Sequence, residues 1–410
     1  MIDKPIALPR LGPRPLPFHL MTQVSTLLGS HAGLPSLRNG CAGWKPHLAS
    51  TAEDLRRQIA GIDAAAFDKA LEAEVLHRLS CFFQAITTYR QHPSRRDVPA
   101  VPVLWDDGTT RLLDYSRPGD DGPPVLVVPS LINRACIMDL VQRRSFMRYV
   151  AAKGLRAYLV DWDAPGPAER DFGLDQYVAG RLARLLERVL RLAGRPFVVG
   201  YCMGGLLGLA LAVLHQADIR GLALLATPWD FHAPTPAQGR LLAALRAPLE
   251  QTIAACGELP VDLLQCMFGS IDPGAVDRKF RAFGRLNGRS GKACDFVALE
   301  DWINDGVPLT AAVARESLFG WYVDNLTARG EWCVAGTPIL PEAFDKPALA
   351  VIPEQDRIVP PTSALALARA LPKARILMVP TGHIGMMAGG RAQTDVYGPI
   401  ARWLLRVGGR

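Results

Sequence analysis

One cysteine lies in a sequence that is typical of an enzyme nucleophile. Residues 200–205 read GYCMGG, and this segment directly follows a short apolar run and directly precedes a helical pattern. A sharp strand-to-helix turn strains the backbone of its central residue, and Gly200, Gly204 and Gly205 leave room where side chains would collide. The helix N-terminus favours a thiolate and an oxyanion at this point. We therefore expect Cys202 to be a nucleophile; the alternative is a buried structural cysteine in a tight turn.

A nucleophile of this kind needs a base and a carboxylate that orients the base. Two later apolar runs are each followed by a suitable side chain: PEQD ends in Asp356, and PTGH ends in His383. Strand-to-helix nucleophiles are followed along the chain first by the acid and then by the histidine. We predict Asp356 as the acid and His383 as the base, with Glu354 and Asp230 as alternatives for the acid.

The negative oxygen that forms during acyl transfer is stabilised by two backbone N–H groups. Met203, the residue after the nucleophile, is expected to supply one of them. The other is expected from the turn PSLI after an earlier apolar run, with Leu131 or Ile132 as the donor. A thiol that attacks a thioester forms another thioester, so the acyl group keeps its activation. The chemistry therefore suits acyl transfer better than hydrolysis.

The apolar pattern predicts the elements that position these residues. Two strand-like pieces at 101–105 and 110–115 flank Asp106-Asp107-Gly108 and predict a β-hairpin. From residue 123, short apolar runs alternate with helical patterns, as in a parallel sheet that is covered on both faces. The runs are 125–128, 157–160, 197–199, 222–225, 348–352 and 376–379, and the helical patterns are 137–152, 174–192 and 206–215, with an amphipathic helix at the end. We therefore expect an α/β fold with a mostly parallel sheet and helices on both faces.

The same pattern divides the chain into four segments. Residues 1–95 are expected to be an N-terminal arm, irregular to about residue 44, followed by helices ending near 62 and spanning 65–89. Residues 96–230 form the first part of the sheet, and 346–410 the second. Residues 231–345 show helices and loops, which predicts an inserted helical cap.

Composition limits the class of partner. The formal net charge of +7 favours anionic partners, but without a long Lys/Arg run we expect no nucleic-acid binding. The eight cysteines show no ligand spacing, so we expect no metal site and reduced thiols in the cytoplasm. The N-terminal residues lack the apolar core of a signal peptide, and the apolar run 205–214 is too short for a transmembrane segment.

Longer segments resemble one known family. The GYCMGG segment is shared by dienelactone-hydrolase-like enzymes and polyhydroxyalkanoate synthases, and the flanking segments distinguish the two. They are similar to the catalytic domain of polyhydroxyalkanoate (poly-3-hydroxybutyrate) synthases from about residue 96 to the end. The segments are PSLINRACIMDL (129–140), LVDWDAPGPAERDFGLDQYV (159–178), ATPWDF (226–231), DFVALEDWINDGVP (295–308), DRIVPPTSALAL (356–367) and TGHIG (381–385).

The resemblance implies an α/β-hydrolase fold and an acyltransferase that polymerises 3-hydroxyacyl-CoA into polyhydroxyalkanoate. Cys202 would be acylated, His383 would act as the base and Asp356 would assist it, with release of CoA. CoA thioester is the substrate, and no cofactor is expected. A basic cluster in the expected cap is either a solvated face or a site for CoA phosphates: Arg278, Lys279, Arg281, Arg285, Arg289 and Lys292.

The resemblance also implies partners: a growing polyester chain or granule surface, a second synthase subunit, and a second copy in a homodimer. The protein would then lie in the cytoplasm at the surface of polyester granules. The family commonly has His and Trp where this chain has Arg357 and Pro361. These differences concern the acceptor specificity more than the triad. The alternatives are a hydrolase that uses the same triad (a thioesterase, polyester depolymerase or dienelactone-type enzyme) and a non-catalytic scaffold.

Overall fold

A computed structural model describes residues 10–41, 43–233 and 235–409, and the chain forms two compact units. The helical unit comprises residues up to Ser94 together with Gln265–Asn304, and the sheet unit comprises Arg95–Leu264 and Asp305–Arg410. This division differs from the expected boundaries, because residues 265–304 were placed in the cap and instead pack with the N-terminal helices. The first nine residues of the expected arm lie outside the described part.

The sheet unit contains one eight-stranded sheet in the order β1-β2-β4-β3-β5-β6-β7-β8. Its antiparallel pairs are β1 with β2 and β2 with β4, and all other pairs are parallel. The predicted hairpin and the mostly parallel sheet are confirmed. The strands are β1 Val103–Asp107, β2 Thr110–Asp114, β3 Pro124–Val128, β4 Arg156–Asp161, β5 Phe197–Tyr201, β6 Gly221–Leu225, β7 Ala348–Pro353 and β8 Ala374–Val379.

Helices make up most of the remaining structure. The described α-helices are α1 Leu16–Arg38, α2 Pro46–Ile59, α3 Ala64–Gln91, α4 Phe146–Ala151, α5 Ala183–Ala193, α6 Met203–Leu214, α7 Ala237–Ala244, α8 Arg246–Cys256, α9 Val261–Gly269, α10 Ala275–Phe283, α11 Gly291–Asn304, α12 Ala311–Arg315, α13 Pro361–Ala370, α14 Gly385–Ala388 and α15 Gly398–Val407. Wider π-helical turns at Gln176–Leu182 and Glu316–Val323 lead into α5 and follow α12. Among the described residues, no helix combines the length and apolar content that a bilayer span requires.

The central strands are buried along their whole length, because their side chains are apolar on both faces. Strands β3, β5, β6 and β7 have no exposed residue. Their register pairs Val128 with Gly200, and Leu225 with both Tyr201 and Val351. The carboxyl ends of these strands therefore lie together at one edge of the sheet, and the loops that follow them meet there.

The prediction of one helix over 137–152 was wrong. The chain forms a 3₁₀ turn, two short strands and only then α4, which Ser145 caps by accepting a hydrogen bond from the Arg148 N–H at 3.0 Å. Asp139 interrupts the helical pattern because its buried carboxylate accepts hydrogen bonds from Arg148 at 2.9 and 3.0 Å and from the Tyr115 hydroxyl at 3.1 Å. A buried polar contact outweighs helix propensity here.

The helical unit has its own aromatic core. Helices α3, α10 and α11 bury Phe82, Phe280 and Phe283 with Val297, and Phe296 stacks on Phe283 at a centroid distance of 4.4 Å. The predicted helix over 65–89 is confirmed as α3. Residues up to 44 were expected to be irregular, and α1 contradicts this. Proline is compatible with the first turn of a helix, so the prolines before α1 did not exclude it.

A buried ion pair ties the β1–β2 turn to the loop after β4. The Glu169 carboxylate, fully buried, accepts hydrogen bonds from Arg181 at 2.9 Å and from the Thr109 and Gly166 N–H groups at 3.1 Å. Arg181 also pairs with Asp107. Burial alone would raise the pKa of Glu169, but these hydrogen bonds outweigh it and lower the pKa below its ordinary value.

Replacing Glu169 by glutamine is expected to lower the free energy of unfolding by roughly 3 kcal/mol at neutral pH, because a buried arginine loses a charged partner. Since the pKa of Glu169 is lowered, the loss should shrink as pH falls through that pKa. Urea unfolding over a pH series measures it. Glu187→Gln, which breaks an exposed pair with Arg191 at 3.7 Å, is the control, with an expected loss under about 1 kcal/mol. Equal losses in the two variants would contradict the prediction.

Candidate active site

Cys202 occupies the turn between β5 and α6. Its backbone has φ +55° and ψ −127°, a conformation that L-residues rarely adopt. The Cys202 N–H donates to the Leu225 carbonyl at the end of β6 over 2.8 Å, and its own carbonyl accepts from the Gly205 N–H at 2.9 Å. The side chain is half-buried, so the sulfur is held at the sheet edge and remains accessible.

The three predicted glycines surround this turn where no side chain fits. A Cβ on Gly200 would lie 2.6 Å from the Gly204 carbonyl oxygen, and one on Gly204 would lie 2.5 Å from the Pro129 carbonyl carbon. A Cβ on Gly205 would lie 2.6 Å from Thr227 Cγ2. Real Cβ atoms do not approach this closely. Glycine at these positions lets the turn pack directly against the loops after β3 and β6.

The predicted base and acid follow β7 and β8 and are in contact. His383 Nδ1 donates to Asp356 Oδ2 over 2.7 Å, and both side chains are buried. The other carboxylate oxygen of Asp356 accepts from the Ile358 and Val359 N–H groups at 2.8 and 2.9 Å. The acid is therefore held by its own loop while it orients the imidazole.

The two alternative acids lie elsewhere. Glu354 is exposed. The carboxylate of Asp230 accepts hydrogen bonds from the Asn325 amide and the His232 N–H, both at 2.9 Å. The structure thus brings Asp356, rather than either alternative, to His383.

The His383 imidazole interacts with the Cys202 sulfur on its other side. Burial alone would lower the pKa of His383, but the negative charge of Cys202 and the hydrogen bond to Asp356 outweigh it and raise the pKa to about 10. Tyr201, at the end of β5, supports the ring: its hydroxyl donates to the His383 carbonyl at 3.2 Å, and the two ring centroids are 5.2 Å apart. The two groups are therefore electrostatically coupled, and negative charge on the sulfur favours the protonated imidazole.

The oxyanion donors can be compared in the structure. The Met203 N–H lies in the first turn of α6, where no intrahelical acceptor exists. The Ile132 N–H donates to the Ser130 hydroxyl at 2.9 Å, whereas the Leu131 N–H has no hydrogen-bond partner among the described residues. Of the two candidates in this loop, Leu131 is the one whose N–H is free to bind an oxyanion.

Sequence reasoning missed two residues at the site. The Ser130 hydroxyl holds the oxyanion loop through Ile132. Tyr322 lies in the π-helical turn after α12, and burial and the negative charge of Cys202 both raise the pKa of its phenol. Its ring packs edge-on against Phe231 at 4.6 Å, and its carbonyl accepts from His232 Nε2 at 3.1 Å. No local motif marks Tyr322, because only the fold brings it near the nucleophile.

Two further expectations concern ligands. Within the described part of the chain, no group of three His, Cys, Asp or Glu side chains is arranged to hold a metal ion. In the basic cluster, three cations are in ion pairs inside the helical unit. These are Arg278 with Asp272 at 2.6 Å, Lys279 with Glu300 at 2.7 Å, and Arg281 with Asp277 at 2.7 Å.

Comparison with known proteins shows which proteins this chain is similar to. A family model described as alpha/beta hydrolase fold matches residues 123–389. The poly(3-hydroxyalkanoate) polymerase subunit PhaC of Synechocystis is 29% identical over 68% of this chain and 77% of its own length. The subunits of the same name from Allochromatium vinosum and Thiocystis violacea are each 29% identical over 74% of this chain and 87% of theirs.

The family model covers more than half of the chain, and these relatives match 68–74% of it. These relatives are polymerases, that is, acyltransferases, which agrees with the enzyme class predicted from the sequence. The predicted fold class is also confirmed. The chain therefore belongs to the alpha/beta hydrolase fold family, and it is similar to the poly(3-hydroxyalkanoate) polymerase subunits.

Proposed function

We propose that this protein is an acyltransferase that takes 3-hydroxyacyl groups from CoA thioesters and joins them into a polyester, with release of CoA. The observation that carries the proposal is the contact series Cys202–His383–Asp356 at the carboxyl edge of the sheet, in a chain whose relatives are named poly(3-hydroxyalkanoate) polymerases. A nucleophile, a base and an orienting acid are the groups that covalent acyl transfer requires.

The first half-reaction loads the enzyme. The Cys202 thiolate attacks the thioester carbonyl, and the Met203 and Leu131 N–H groups donate to the oxyanion that forms. The tetrahedral intermediate expels the CoA thiolate, which takes the proton of the His383 imidazolium. The acyl group is now a thioester of Cys202, and His383 is neutral.

The second half-reaction transfers the group. The hydroxyl of another 3-hydroxyacyl unit attacks the Cys202 thioester, and His383 accepts the hydroxyl proton. An oxygen ester forms, and Cys202 leaves as a thiolate beside the protonated imidazole. Water in place of the hydroxyl would give the free acid, so the same groups would also support the hydrolase alternative.

Several finer expectations stay predictions from the resemblance. They are a second synthase subunit, a homodimer, and attachment to polyester granules in the cytoplasm. A fourth expectation concerns acceptor specificity, because Arg357 and Pro361 differ from the residues that are common in the family. Light scattering of the purified protein measures the oligomeric state, and sedimentation with polyester granules measures attachment.

Purified protein given 3-hydroxybutyryl-CoA is expected to release free thiol and form insoluble polymer. Replacing Cys202 by alanine should lower thiol release by at least about a thousandfold, because no other group can carry the acyl chain. Thiol release is followed by a colorimetric reagent, and the product is separated into insoluble polymer and soluble acid. Cys333→Ala, which changes an exposed thiol, is the control. Soluble acid as the only product would favour the hydrolase, and no Cys202-dependent release would favour the scaffold.

Replacing Ser130 by alanine is expected to lower kcat about tenfold with little change in KM, less than the ~10²–10³ that loss of a direct oxyanion donor costs. The reason is that the Ile132 N–H loses its acceptor, so the loop that presents the Leu131 N–H loosens. Steady-state kinetics measure this split. Ser145→Ala removes an equally buried hydroxyl from the cap of α4 and should leave kcat unchanged. A rise in KM at constant kcat would argue against the assigned role of the loop.

Replacing Cys202 by alanine is also expected to lower the pKa of His383 from about 10, because the negative charge is removed while burial remains. In NMR spectra with labelled histidine, the wild-type His383 signal should stay constant between about pH 5 and about pH 9. The variant should either titrate within that range or stay neutral throughout it. An identical, protonated signal in both proteins would show that the sulfur does not set the charge of the ring.

A further inference from the structure

The helical unit carries a second thiol–imidazole pair, on the exposed face of α3. Cys81 Sγ lies 3.6 Å from His77 Nε2, one helical turn away, and 3.9 Å from His77 Nδ1. The Cys81 side chain is half-buried, so a small reagent can reach it. Nothing in the proposed acyl-transfer mechanism uses these residues.

The pair faces a groove of about 360 Å³ in which cations predominate. Three arginines line it together with His77, against the single carboxylate of Glu74. The lining residues are Glu74, His77, Arg78, Cys81, Gln84, Ala85, Thr88, Arg281, Gly284 and Arg285. Such a surplus of positive charge in a concave site concentrates anions.

The cations differ in what neutralises them. Arg78 pairs with Glu74 at 2.6 Å, and Arg281 pairs with Asp277 at 2.7 Å. The pKa of Arg281 is raised first by its hydrogen bond to Asp277, and also by negative charge on Cys81, and both residues line the groove. The Arg285 side chain makes no hydrogen bond or ion pair with the described residues. Its charge is therefore open to a ligand.

We propose that this groove binds small disulfides that carry negative charge, and that Cys81 undergoes thiol–disulfide exchange with them. The groove would hold phosphate or carboxylate groups of the reagent near Arg285 and Arg281 while its sulfur–sulfur bond lies against Cys81. Attack by a thiolate on a disulfide needs both a deprotonated sulfur and access. The proposal does not rest on the acyltransferase function.

The exchange is balanced without any further reactant. His77 accepts the proton of the Cys81 thiol, and the thiolate attacks one sulfur of the disulfide R–S–S–R. A bond forms between Cys81 and that sulfur as the original sulfur–sulfur bond breaks. The departing thiolate takes the proton from His77 and leaves as RSH. The product is a mixed disulfide on Cys81.

The test compares reagents of different charge on the full-length protein. The disulfide of CoA and glutathione disulfide carry phosphates and carboxylates, and bis(2-hydroxyethyl) disulfide is neutral. Peptide mass spectrometry after timed quenching gives the rate at each cysteine. At Cys81 the anionic reagents are expected to react about tenfold faster than the neutral one. The exposed thiols of Cys256 and Cys333 serve as internal controls and should prefer the neutral, smaller reagent or show no preference.

Two matched variants separate the groove from general surface charge. Arg285→Glu should lower the rate of Cys81 with the anionic reagents by about threefold to tenfold and leave the neutral reagent unaffected. Arg289→Glu makes the same charge change outside the groove lining and should have little effect. Both arginines are exposed, so neither change should disturb folding. Equal rates with charged and neutral reagents at Cys81, or equal effects of the two variants, would overturn the proposal.

Discussion

The candidate site depends on how closely the backbone of the turn at Cys202 packs against its neighbours. A left-handed, non-glycine residue costs about 1–3 kcal/mol, and it persists only where surrounding contacts offset that cost. At Cys202 this cost is offset by the backbone hydrogen bond to Leu225. It is also offset by packing contacts, because the glycines let the start of α6 approach Pro129 and Thr227. The same close approach lets α6 start at Met203, directly after the nucleophile. The strained backbone of Cys202 and the position of its side chain at the start of a helix are thus consequences of one packing arrangement.

Where the structure depends on local sequence, the sequence predicted it. The buried runs that became the central strands are apolar on both faces, a pattern that little else in a protein produces. The turn at Cys202 needs glycines at fixed offsets, so it could be recognised without coordinates. Asp356 and His383 follow strands whose carboxyl ends meet at one edge, and the parallel register alone brings them together.

What the sequence did not predict depends on contacts between distant residues. The buried Asp139 carboxylate ends a helical pattern that looks continuous in the sequence. The packing of residues 265–304 with the N-terminal helices rests on aromatic contacts such as Phe82 with Phe280 across the chain. The choice of Leu131 over Ile132 as oxyanion donor turns on one hydroxyl, that of Ser130, which no periodic pattern reveals.

In the proposed mechanism, charge coupling at the site would let one imidazole serve both half-reactions. Burial disfavours the charged ring, whereas negative charge on the Cys202 sulfur and the hydrogen bond to Asp356 favour it. Acylation makes the sulfur neutral, which removes the charge that raises the pKa of His383. The neutral ring could then accept the proton of the incoming hydroxyl. When Cys202 leaves as a thiolate, its negative charge would again stabilise the protonated ring. A serine hydroxyl is far less acidic than a thiol, so this alternation would depend on sulfur.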